Sequence, residues 1–514
     1  MSSDVIAAPQ PQKQALDRRL LITFSVMLAT IMQALDTTIA NVALPHMQGA
    51  MGATQDQTSW VLTSYIVAAA IAMPLTGFVA ARIGRKRLFT WSVVGFTVAS
   101  MLCGAAQSLD QIVIFRLLQG IFGASLVPLS QSVMLDAWPK EKHGSAMAMW
   151  GMGVMVGPIL GPALGGWLTE YYSWRWVFYI NIPFGALAWL GISAFVSETA
   201  IDAKRKFDLL GFFLLSVAIG SLQLFLDRGQ SKEWFASGEI IIEAVLAALA
   251  LYLFITHIFT VKKPFIEPGI FRDKNFVVGL LFSFMMGTIL LATMALMPPL
   301  LQNFMNYPVI DVGLLMTPRG FGTMFSMMVV GRIAGKVDLR YVIAVGVVVM
   351  AVSLWQMTQF SMWMSQWEII SSGVVQGIGM GLTFVPLSTL TFSTLAPSYR
   401  TEGTSLYSLI RNIGSSIGIS MVTTYLAQQS QRNHSVFSGF INPFNKALQH
   451  DIQHGAYNLH QMPGLMAINN EVTRQATVMA YYQDFRLMMF LCFLLLPLVL
   501  LFSKPTKVGE TILE

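Results

Sequence analysis

Fourteen long apolar runs constrain this chain more than any other feature of its sequence. A membrane-spanning helix needs about 20 mostly apolar residues, because a helix satisfies its own backbone polar groups where no water is present. The runs therefore predict an all-α polytopic membrane protein. The predicted spans are residues 20–45, 58–81, 88–107, 110–135, 144–169, 175–197, 208–227, 239–260, 276–300, 309–331, 341–360, 367–394, 402–428 and 485–503.

Composition excludes several other protein classes. Charged residues make up only 11% of the chain, whereas soluble proteins carry about 25%. The basic residues lie in short loops, so the net charge of +6 does not indicate a nucleic-acid partner. Cys103 and Cys492 lie in apolar runs and predict neither a disulfide framework nor a metal site, and we expect no cofactor. The first run lacks a convincing cleavage site, so we expect it to remain as a helix.

The basic residues also predict the orientation of the chain. Of the 32 Lys and Arg residues, 22 lie in the two tails and in every second loop, and seven lie in the opposite loops and helix ends. The positive-inside rule places the richer side in the cytoplasm. Because the number of spans is even, both termini are predicted to be cytoplasmic.

The two halves of the chain repeat a short pattern. Gln119 to Ser130 (QGIFGASLVPLS) resembles Gln376 to Ser388 (QGIGMGLTFVPLS) about 257 residues later, and Gly77 to Arg87 is echoed more weakly by Gly331 to Arg340. Both QGI segments open a helix in the same direction, so we interpret the halves as parallel repeats.

This duplication predicts two six-helix bundles with an extra pair of helices between them. The predicted organisation is a tail at 1–19, an N-terminal bundle at 20–200, a two-helix insertion at 201–274, a C-terminal bundle at 275–503 that includes an outer loop at 429–484, and a tail at 504–514.

An acidic residue, Asp36, lies well inside the first apolar run. A carboxylate is costly in hydrocarbon and usually faces a bundle interior or a wet cavity, where it serves a function. Gln33, Asp36, Thr37 and Asn41 share one helical face, which we interpret as a polar stripe directed inward. A protonated, hydrogen-bonded structural aspartate is the alternative.

Five segments in chain order carry a family resemblance. They are Leu35–Pro45 (LDTTIANVALP), Gly77–Arg87 (GFVAARIGRKR), Arg116–Gly120 (RLLQG), Gly153–Gly166 (GVMVGPILGPALGG) and Trp174–Pro183 (WRWVFYINIP). Together they resemble the motifs of the fourteen-helix drug:proton antiporters of the major facilitator superfamily. Leu222–Gln230, followed by Glu233, Trp234 and Phe235, is similar to a multidrug-exporting branch of that family.

The resemblance implies the major facilitator fold and proton-coupled export of lipophilic drugs by alternating access. In the resembling branch the transporter works with a periplasmic adaptor and an outer-membrane channel. It thus implies a bacterial inner-membrane protein and makes the 429–484 loop and the 228–238 turn candidate docking surfaces.

Asp36 and Arg116 are predicted to couple transport to protons. Counted along their helices, their depths differ by only about 4–5 Å. Apolar burial favours a neutral carboxyl and a nearby base favours an ionised one, so a carboxylate between the two influences suits a proton switch. The two side chains could meet each other, or could face other partners such as Gln119 or Asn41.

The loop at residues 77–87 is the candidate cytoplasmic gate. Its candidate residues are Gly77, Arg82, Gly84, Arg85, Lys86 and Arg87. The family usually has an acid at the position of Ala81, and this chain does not. Two interpretations stay open. The basic cluster only sets the membrane topology, or it forms a latch with another acid, for which Asp136 is the candidate.

The fifth span is rich in glycine and proline. Its candidate motif residues are Gly153, Gly157, Pro158, Gly161, Pro162, Gly165 and Gly166. Small residues let helices approach closely, and prolines loosen the backbone ladder. The pattern favours a helix that bends and rocks against the other half over a tight static pair, and the resemblance implies a seal against proton leak.

Five polar residues are candidates for the substrate cavity: Gln33, Asn41, Gln119, Arg319 and Arg411. Buried bases face a cavity or a partner rather than lipid. If Arg319 does not pair with Asp311 two turns earlier, the two arginines make the vestibule basic, which favours anionic or neutral lipophiles.

The sequence carries no signature of an enzyme or of an ATP-driven pump. It contains no GxSxG, HExxH, metal-spaced Cys/His cluster or Walker A loop. A proton-driven drug exporter is therefore the leading hypothesis. A dedicated exporter of one metabolite, such as a fatty acid or siderophore, is the second hypothesis, and a channel is the third.

Overall fold

All regular structure in the described part of the chain is helical. The computed structural model describes residues 11–202, 206–262, 264–442, 444–445 and 461–503. The first ten residues, residues 446–460 of the predicted outer loop and the predicted tail at 504–514 lie outside that part.

Seventeen α-helices are described, and several predicted spans consist of two of them. In chain order they are α1 Pro11–Met51, α2 Gln55–Ala72, α3 Leu75–Ile83, α4 Arg85–Ala105, α5 Leu109–Gly123, α6 Leu126–Ala137, α7 His143–Tyr171, α8 Trp176–Tyr179, α9 Asn181–Phe195, α10 Leu209–Arg228, α11 Gly238–Thr260, α12 Lys274–Met305, α13 Val309–Ile333, α14 Leu339–Met357, α15 Gln366–Ser393, α16 Arg400–Ser438 and α17 Met462–Val499.

A helix occupies each of the fourteen predicted span positions. Eleven described segments are long and apolar enough to cross a membrane, and α2 with α3, which meet at 56°, make a twelfth. The remaining two positions are filled by α13, 25 residues long, and α16, 39 residues long. These two helices contain Arg319 and Arg411, and their polar residues lower their hydropathy. The all-α membrane fold is confirmed, while hydropathy alone supports eleven or twelve spans.

The sequence left the fold of the predicted outer loop at 429–484 open, and both ends of this segment are helical. Helix α16 continues to Ser438, and α17 begins at Met462. The two extensions pack on each other: Ser430 Oγ lies 2.8 Å from Thr477 Oγ1, and Asn433 Nδ2 donates to the Ala476 carbonyl at 3.1 Å. Hydropathy marks the hydrocarbon region and not the length of a helix, so the polar extensions were missed. Helix α1 likewise begins at Pro11, inside the predicted tail.

Contacts at one end of the bundle and packing along its sides position the candidate site. We call the end with the basic loops the inner face and the opposite end the outer face. Helix α7 packs between α1 and α13, and α10 packs against both α2 and α16. Ser416 Oγ of α16 donates to Gln223 Oε1 of α10 at 3.0 Å. The extra pair α10–α11 therefore contacts helices from both halves of the chain.

Candidate functional site

A buried ion pair joins the first and fifth helices. Asp36 comes from α1 and Arg116 from α5, which Ser108 caps by accepting from the Gln111 N–H. Arg116 Nη1 donates to Asp36 Oδ2 at 2.7 Å, and the two side chains are 0% and 1% exposed. The predicted similarity in depth thus corresponds to direct contact.

Two amides complete the environment of the Asp36 carboxylate. Gln119 Nε2 and Asn181 Nδ2 both donate to Asp36 Oδ1, at 2.8 and 2.9 Å. Arg116 Nη1 also donates to Gln119 Oε1 at 2.7 Å. Of the partners left open by the sequence, Asp36 contacts Arg116 and Gln119 together, and Asn181 is an additional partner. We call Asp36, Arg116, Gln119 and Asn181 the aspartate cluster.

Arg116 is held by groups besides the carboxylate. Its Nε donates to the Val61 carbonyl at 3.1 Å, and its guanidinium carbon lies 4.4 Å from the centroid of the Tyr65 ring. An aromatic face attracts a cation, and a backbone carbonyl accepts a charge-assisted hydrogen bond. Arg116 therefore keeps favourable contacts when Asp36 changes its charge.

The cluster can hold two states that differ by one proton. With Asp36 ionised, each carboxylate oxygen accepts at least one hydrogen bond from a described residue. Protonation would cancel its attraction to Arg116 and convert one acceptor into a donor. Because the pair is buried, the charge interaction lost would be large relative to one in water.

The predicted polar stripe is only partly buried. Gln33 is half-buried and its Nε2 donates to the Tyr65 hydroxyl at 3.4 Å, which links it to the ring beside Arg116. Asn41 is exposed, and its Nδ2 donates to the Thr37 carbonyl of its own helix at 3.2 Å. The structure therefore brings Gln33 next to the aspartate cluster and leaves Asn41 outside it.

Arg319 and Arg411 lie in the other half, apart from the aspartate cluster. Arg319 is 7% exposed, and its Nη2 has no hydrogen-bond partner in the described chain. Among the described residues no carboxylate forms an ion pair with Arg319, so the pairing with Asp311 is not observed. Arg411 is half-buried, with its guanidinium carbon 5.9 Å from the centroid of the Phe384 ring.

Asp136 forms ion pairs at the inner face with Arg85 and Arg400. Arg85 and Asp136 belong to the N-terminal half and Arg400 to the C-terminal half. Ser132 Oγ lies 3.1 Å from Thr401 Oγ1, and Ser145 Oγ donates to the Gly331 carbonyl at 2.7 Å, again between the halves. The polar groups of Arg85, Asp136, Ser132, Arg400 and Thr401 form what we call the inner latch.

Of the predicted basic cluster, only Arg85 forms an ion pair within the described chain. Arg82 and Arg87 are exposed. A second acid, Glu198, accepts from the backbone N–H groups of Lys86 and Arg87 at 3.0 and 3.2 Å, where α4 begins. A carboxylate is stabilised at a helix N-terminus, so Glu198 orders this loop without the acid expected at Ala81.

Two glycines of the same loop meet close neighbours. A β-carbon at Gly77 would lie 2.9 Å from the Glu402 Cα of the other half. Gly84 adopts φ of 96°, in the region that favours glycine, and Glu198 lies against it. Gly77 thus allows the two halves to meet at the inner face.

The glycines of α7 pack mainly on α1, in the same half. A β-carbon would lie 3.0 Å from Met27 at Gly153, 2.5 Å from the Ala34 carbonyl carbon at Gly157 and 3.3 Å from Ile39 at Gly165. Gly161 approaches Thr38, whereas Gly166 has nothing within 4 Å. These glycines thus form a tight seam with α1, and the prediction that α7 bends and rocks against the other half stays a prediction.

The opposite side of α7 meets α13 of the other half. Glycines of α13 make this approach possible: Gly320 lies against Ile159, and a β-carbon at Gly331 would lie 2.8 Å from Ala148. Pro158 and Pro162 are inside the helix, and Pro162 lies 3.5 Å from the β-carbon position of Gly313. The contact between the halves thus depends on Gly313 and Gly320, which were not candidate residues, and on Gly331, which opens the weaker repeat segment.

Four residues that were not assigned to the site prove to belong to it: Asn181, Tyr65, Glu198 and Arg400. Asn181 lies within the WRWVFYINIP segment, and Arg400 ends the short loop after the second QGI repeat. Both positions carried a sequence signal. Tyr65 had none, because its contact depends on how α2 packs against α5.

Known proteins resemble this chain over nearly its whole length. Residues 26–419 match the profile of the Major Facilitator Superfamily. The fatty acid resistance protein FarB of Neisseria gonorrhoeae is 36% identical over 95% of this chain and 97% of its own. The multidrug export protein EmrB of Escherichia coli K12 is 35% identical, over 96% of this chain and 98% of its own. The chain belongs to the major facilitator superfamily, in its EmrB-like group of multidrug exporters.

Solved structures agree with the superfamily fold. The human organic anion transporter MFSD10 (TETRAN) has a TM-score of 0.59, with 13% identity over 92% of this chain and 99% of its own. The proton:xylose symporter XylE has a TM-score of 0.60, with 12% identity over 94% of this chain and 96% of its own. This EmrB-like protein is a multi-pass membrane transporter.

Proposed function

We propose that this EmrB-like transporter is a proton-driven antiporter that exports lipophilic drugs and toxic compounds by alternating access. The observation that carries the proposal is the aspartate cluster, in which a buried carboxylate is held by Arg116, Gln119 and Asn181. A buried ionisable residue in a membrane bundle is by default a functional site. This one can lose or gain a proton without losing all its partners.

The exchange of Asp36 between two charge states drives the cycle. In the state described here Asp36 is paired and the inner latch is closed. A proton that reaches Asp36 from the outer side neutralises it and weakens its hold on Arg116. This change in the contacts between α1 and α5 biases the halves toward the state that opens inward. Release of the proton to the cytoplasm restores the ion pair.

The inner latch supplies the gate in this proposal. Arg85 and Asp136 on one side and Arg400 on the other close the inner face through charge-assisted hydrogen bonds. Opening must break these contacts, while the tight seam of α7 with α1 keeps the N-terminal half intact. We place the inner face in the cytoplasm, together with both termini, in line with the distribution of basic residues.

The substrates we propose are neutral or anionic lipophiles. Gln33, Gln119, Arg319 and Arg411 are the candidate contacts, and Arg319 has a buried Nη2 without a partner. Such a group suits a substrate carboxylate or another acceptor. The second candidate, a dedicated exporter of a fatty acid or similar metabolite, is favoured by these bases and by the name of its relative FarB.

A bacterial inner membrane is the proposed location, with a periplasmic adaptor and, through it, an outer-membrane channel as partners. The paired extensions of α16 and α17 form the candidate docking surface. They expose large apolar side chains, among them Met462 at 71% and Met466 at 63%, and Phe440, just after α16, is 64% exposed. Phe235 in the 228–238 turn is 66% exposed. Exposed apolar patches commonly mark interaction sites.

Asp36→Asn tests the coupling. In proteoliposomes with an imposed proton gradient, the wild type should export anionic and neutral lipophiles and move protons in the opposite direction. D36N should lose gradient-driven export while keeping its fold, since Asn can retain part of the hydrogen bonding. Asp110→Asn, which removes an exposed carboxyl at the start of α5, is the matched control.

Export by D36N against a proton gradient at the wild-type rate would contradict the role of Asp36. Flux that does not saturate with substrate and does not depend on the gradient would indicate a channel. Export of a single metabolite from a panel of anionic, neutral and cationic lipophiles would favour the dedicated exporter.

A further inference from the structure

A second aspartate, Asp484, is buried in the C-terminal half and has no hydrogen-bond partner among the described residues. It lies on α17 and is 0% exposed. Neither of its carboxyl oxygens has a hydrogen-bond partner in the described chain. Asp36 is about equally buried but accepts three hydrogen bonds. The two aspartates therefore differ in their hydrogen-bond partners and not in their burial.

The neutral acid is the form that fits this environment. A buried ionised carboxylate without a partner costs far more than a buried neutral group. Asp36 avoids this cost through Arg116 and two amides, whereas Asp484 has no such compensation in the state described. Asp484 therefore holds a proton while the inner latch is closed.

No charged or titratable group in the described part of the chain bonds to the Asp484 carboxyl. Helix α17 packs against α12, α14 and α16. Arg340 and Tyr341 of α14 and Lys274 of α12 lie at the inner ends of their helices. Tyr481, Tyr482 and Arg486 lie within three residues of Asp484 on its own helix, Tyr425 and Arg432 lie on α16, and Tyr307 follows α12.

The arginines among these neighbours face away from the carboxyl. Arg432 and Arg486 are exposed and line a cavity of about 480 Å³ between α16 and α17. Tyr425 lines the same cavity. In the described part of the chain none of these groups forms a hydrogen bond or ion pair with Asp484.

The internal repeat places Asp484 about one helical turn from the counterpart of the aspartate cluster. In the first half Gln119 Nε2 donates to Asp36 at 2.8 Å, and in the second half Gln376 Nε2 donates to Thr293 Oγ1 at 3.3 Å. Both hydrogen bonds join residues 83 apart in sequence. Thr293 of α12 thus stands where the first half has Asp36.

In each half, a residue of the last helix contacts this position on the first helix. The first half places Asn181 against Asp36. In the second half Thr293 Oγ1 donates to Met488 Sδ at 3.5 Å, and Asp484 lies one turn from Met488 toward the outer face, about 6 Å along α17. The segments Tyr179-Ile-Asn181 and Tyr482-Gln-Asp484 share their spacing. The first half thus carries its buried aspartate on its first helix, whereas the second half carries one on its last helix.

We propose that Asp484 is a second proton-binding site, loaded in the state with the closed inner latch and unloaded during the transport cycle. The inference rests on the proposed proton-coupled export. The proton comes from water on the outer side and forms an O–H bond with the Asp484 carboxylate. In the inward-open state that bond breaks, and the proton passes to water on the inner side. No other reactant is required.

Infrared difference spectroscopy of the purified full chain tests proton binding directly. At neutral pH the wild type should show the carbonyl band of a protonated carboxylic acid, and Asp484→Asn should remove it. Asp484→Leu should remove the same band and gives a second variant that needs no hydrogen bond. Asp311→Asn, which changes an exposed carboxyl of the same half, should leave the band unchanged.

Proton stoichiometry in proteoliposomes tests the coupling role. The reversal potential of substrate flux should show that D484N moves one proton fewer per exported molecule than the wild type does. D311N should keep the wild-type value. A band that is absent from the wild type, or that persists in D484N, would overturn the proposal, and so would an unchanged stoichiometry.

If proton-coupled export itself is wrong, these experiments give a different set of results. If the wild type moves no protons with substrate, proton-coupled export is wrong and Asp484 has no coupling role. The infrared band still decides in that case whether Asp484 binds a proton.

Discussion

At the scale of single residues, partners distinguish the two buried aspartates more than burial does. Asp36 accepts from Arg116, Gln119 and Asn181, whereas Asp484 accepts from no described group. A buried pair gains charge attraction only when its hydrogen bonds are satisfied. The geometry of Arg116 is therefore as important as its charge.

Arg116→Lys is expected to impair export although it keeps the charge. Lysine is a compact point charge and cannot contact Asp36, Gln119 and the Val61 carbonyl in the way a guanidinium does. Each lost bond to a charged group costs roughly 1.5–3 kcal/mol, so gradient-driven export should fall at least about tenfold. Efflux from proteoliposomes measures this fall.

Arg175→Lys is the matched control for that variant, since Arg175 donates to the Ala106 carbonyl outside the aspartate cluster. It should retain export. Equal export by R116K and the wild type would show that charge alone is sufficient.

At the scale of elements, α7 packs closely against α1 within the N-terminal half. Gly157 and Gly161 place it directly against α1, and Thr38 Oγ1 donates to the Gly157 carbonyl at 3.1 Å. Small residues at an interface allow such an approach. The glycine pattern predicts a helix that bends and rocks against the other half, and the structure places most of these glycines against α1 of the same half.

Gly157→Ala should therefore destabilise the protein. Its β-carbon would lie 2.5 Å from the Ala34 carbonyl carbon, and overpacking of this kind costs about 1–3 kcal/mol. Gly166→Ala has open space and should be neutral or slightly stabilising, because alanine favours helix by up to about 1 kcal/mol over glycine. Thermal unfolding in detergent compares the two, and equal melting temperatures would contradict the seam.

The α10–α11 pair is secured by Asp208 at the inner face. Burial favours a higher pKa for its carboxyl, but the Gly211 N–H, the His257 ring and the Phe265 N–H outweigh burial and hold the pKa below its ordinary 3.8. A carboxyl with a lowered pKa contributes stability above the pKa of the unfolded chain. That stability is lost as the pH falls through the folded pKa.

Asp208→Ala should thus lower stability at neutral pH by roughly 1–3 kcal/mol, the value of a helix cap and its buried bonds. The difference from the wild type should shrink as the pH falls below the ordinary 3.8. Melting curves across this pH range measure it, with Asp110→Ala as the exposed control. A difference that does not depend on pH would rule out the charge of Asp208 as its cause.

At the scale of the whole molecule, the inner latch joins two halves whose sequences are repeats. Asp136 bonds to Arg85 of its own half and to Arg400 of the other. Ser132 and Thr401 meet beside it. Alternating access requires these contacts to separate in each cycle.

A disulfide across the latch should stop transport reversibly. Ser132 Oγ and Thr401 Oγ1 are 3.1 Å apart, so Ser132→Cys with Thr401→Cys should cross-link on oxidation. Cys103 and Cys492 are buried and free, which limits competing disulfides. Export should fall to background after oxidation and return after reduction.

Each single cysteine variant serves as the control and should export in both conditions. Full export by the oxidised, cross-linked protein would show that the inner face need not open.

The sequence by itself determined the fold class, the family and the buried Asp36. These depend on local properties, namely the length of apolar runs, the cost of a carboxylate in hydrocarbon and motifs of a few residues. Asp136 could be proposed as a latch acid for the same reason, since it ends a helix beside a basic loop.

Only the tertiary structure decided which side chains meet. Asn181 and Tyr65 reach the aspartate cluster from helices that are distant in sequence, and the direction of the α7 glycines depends on the rotation of that helix. Hydropathy did not single out Asp484 because this residue lies just outside the predicted span 485–503. That no described residue bonds to its carboxyl is a property of packing. The local sequence determines which side chains require a hydrogen-bond or ion-pair partner. The arrangement of neighbouring helices determines whether a partner lies within reach.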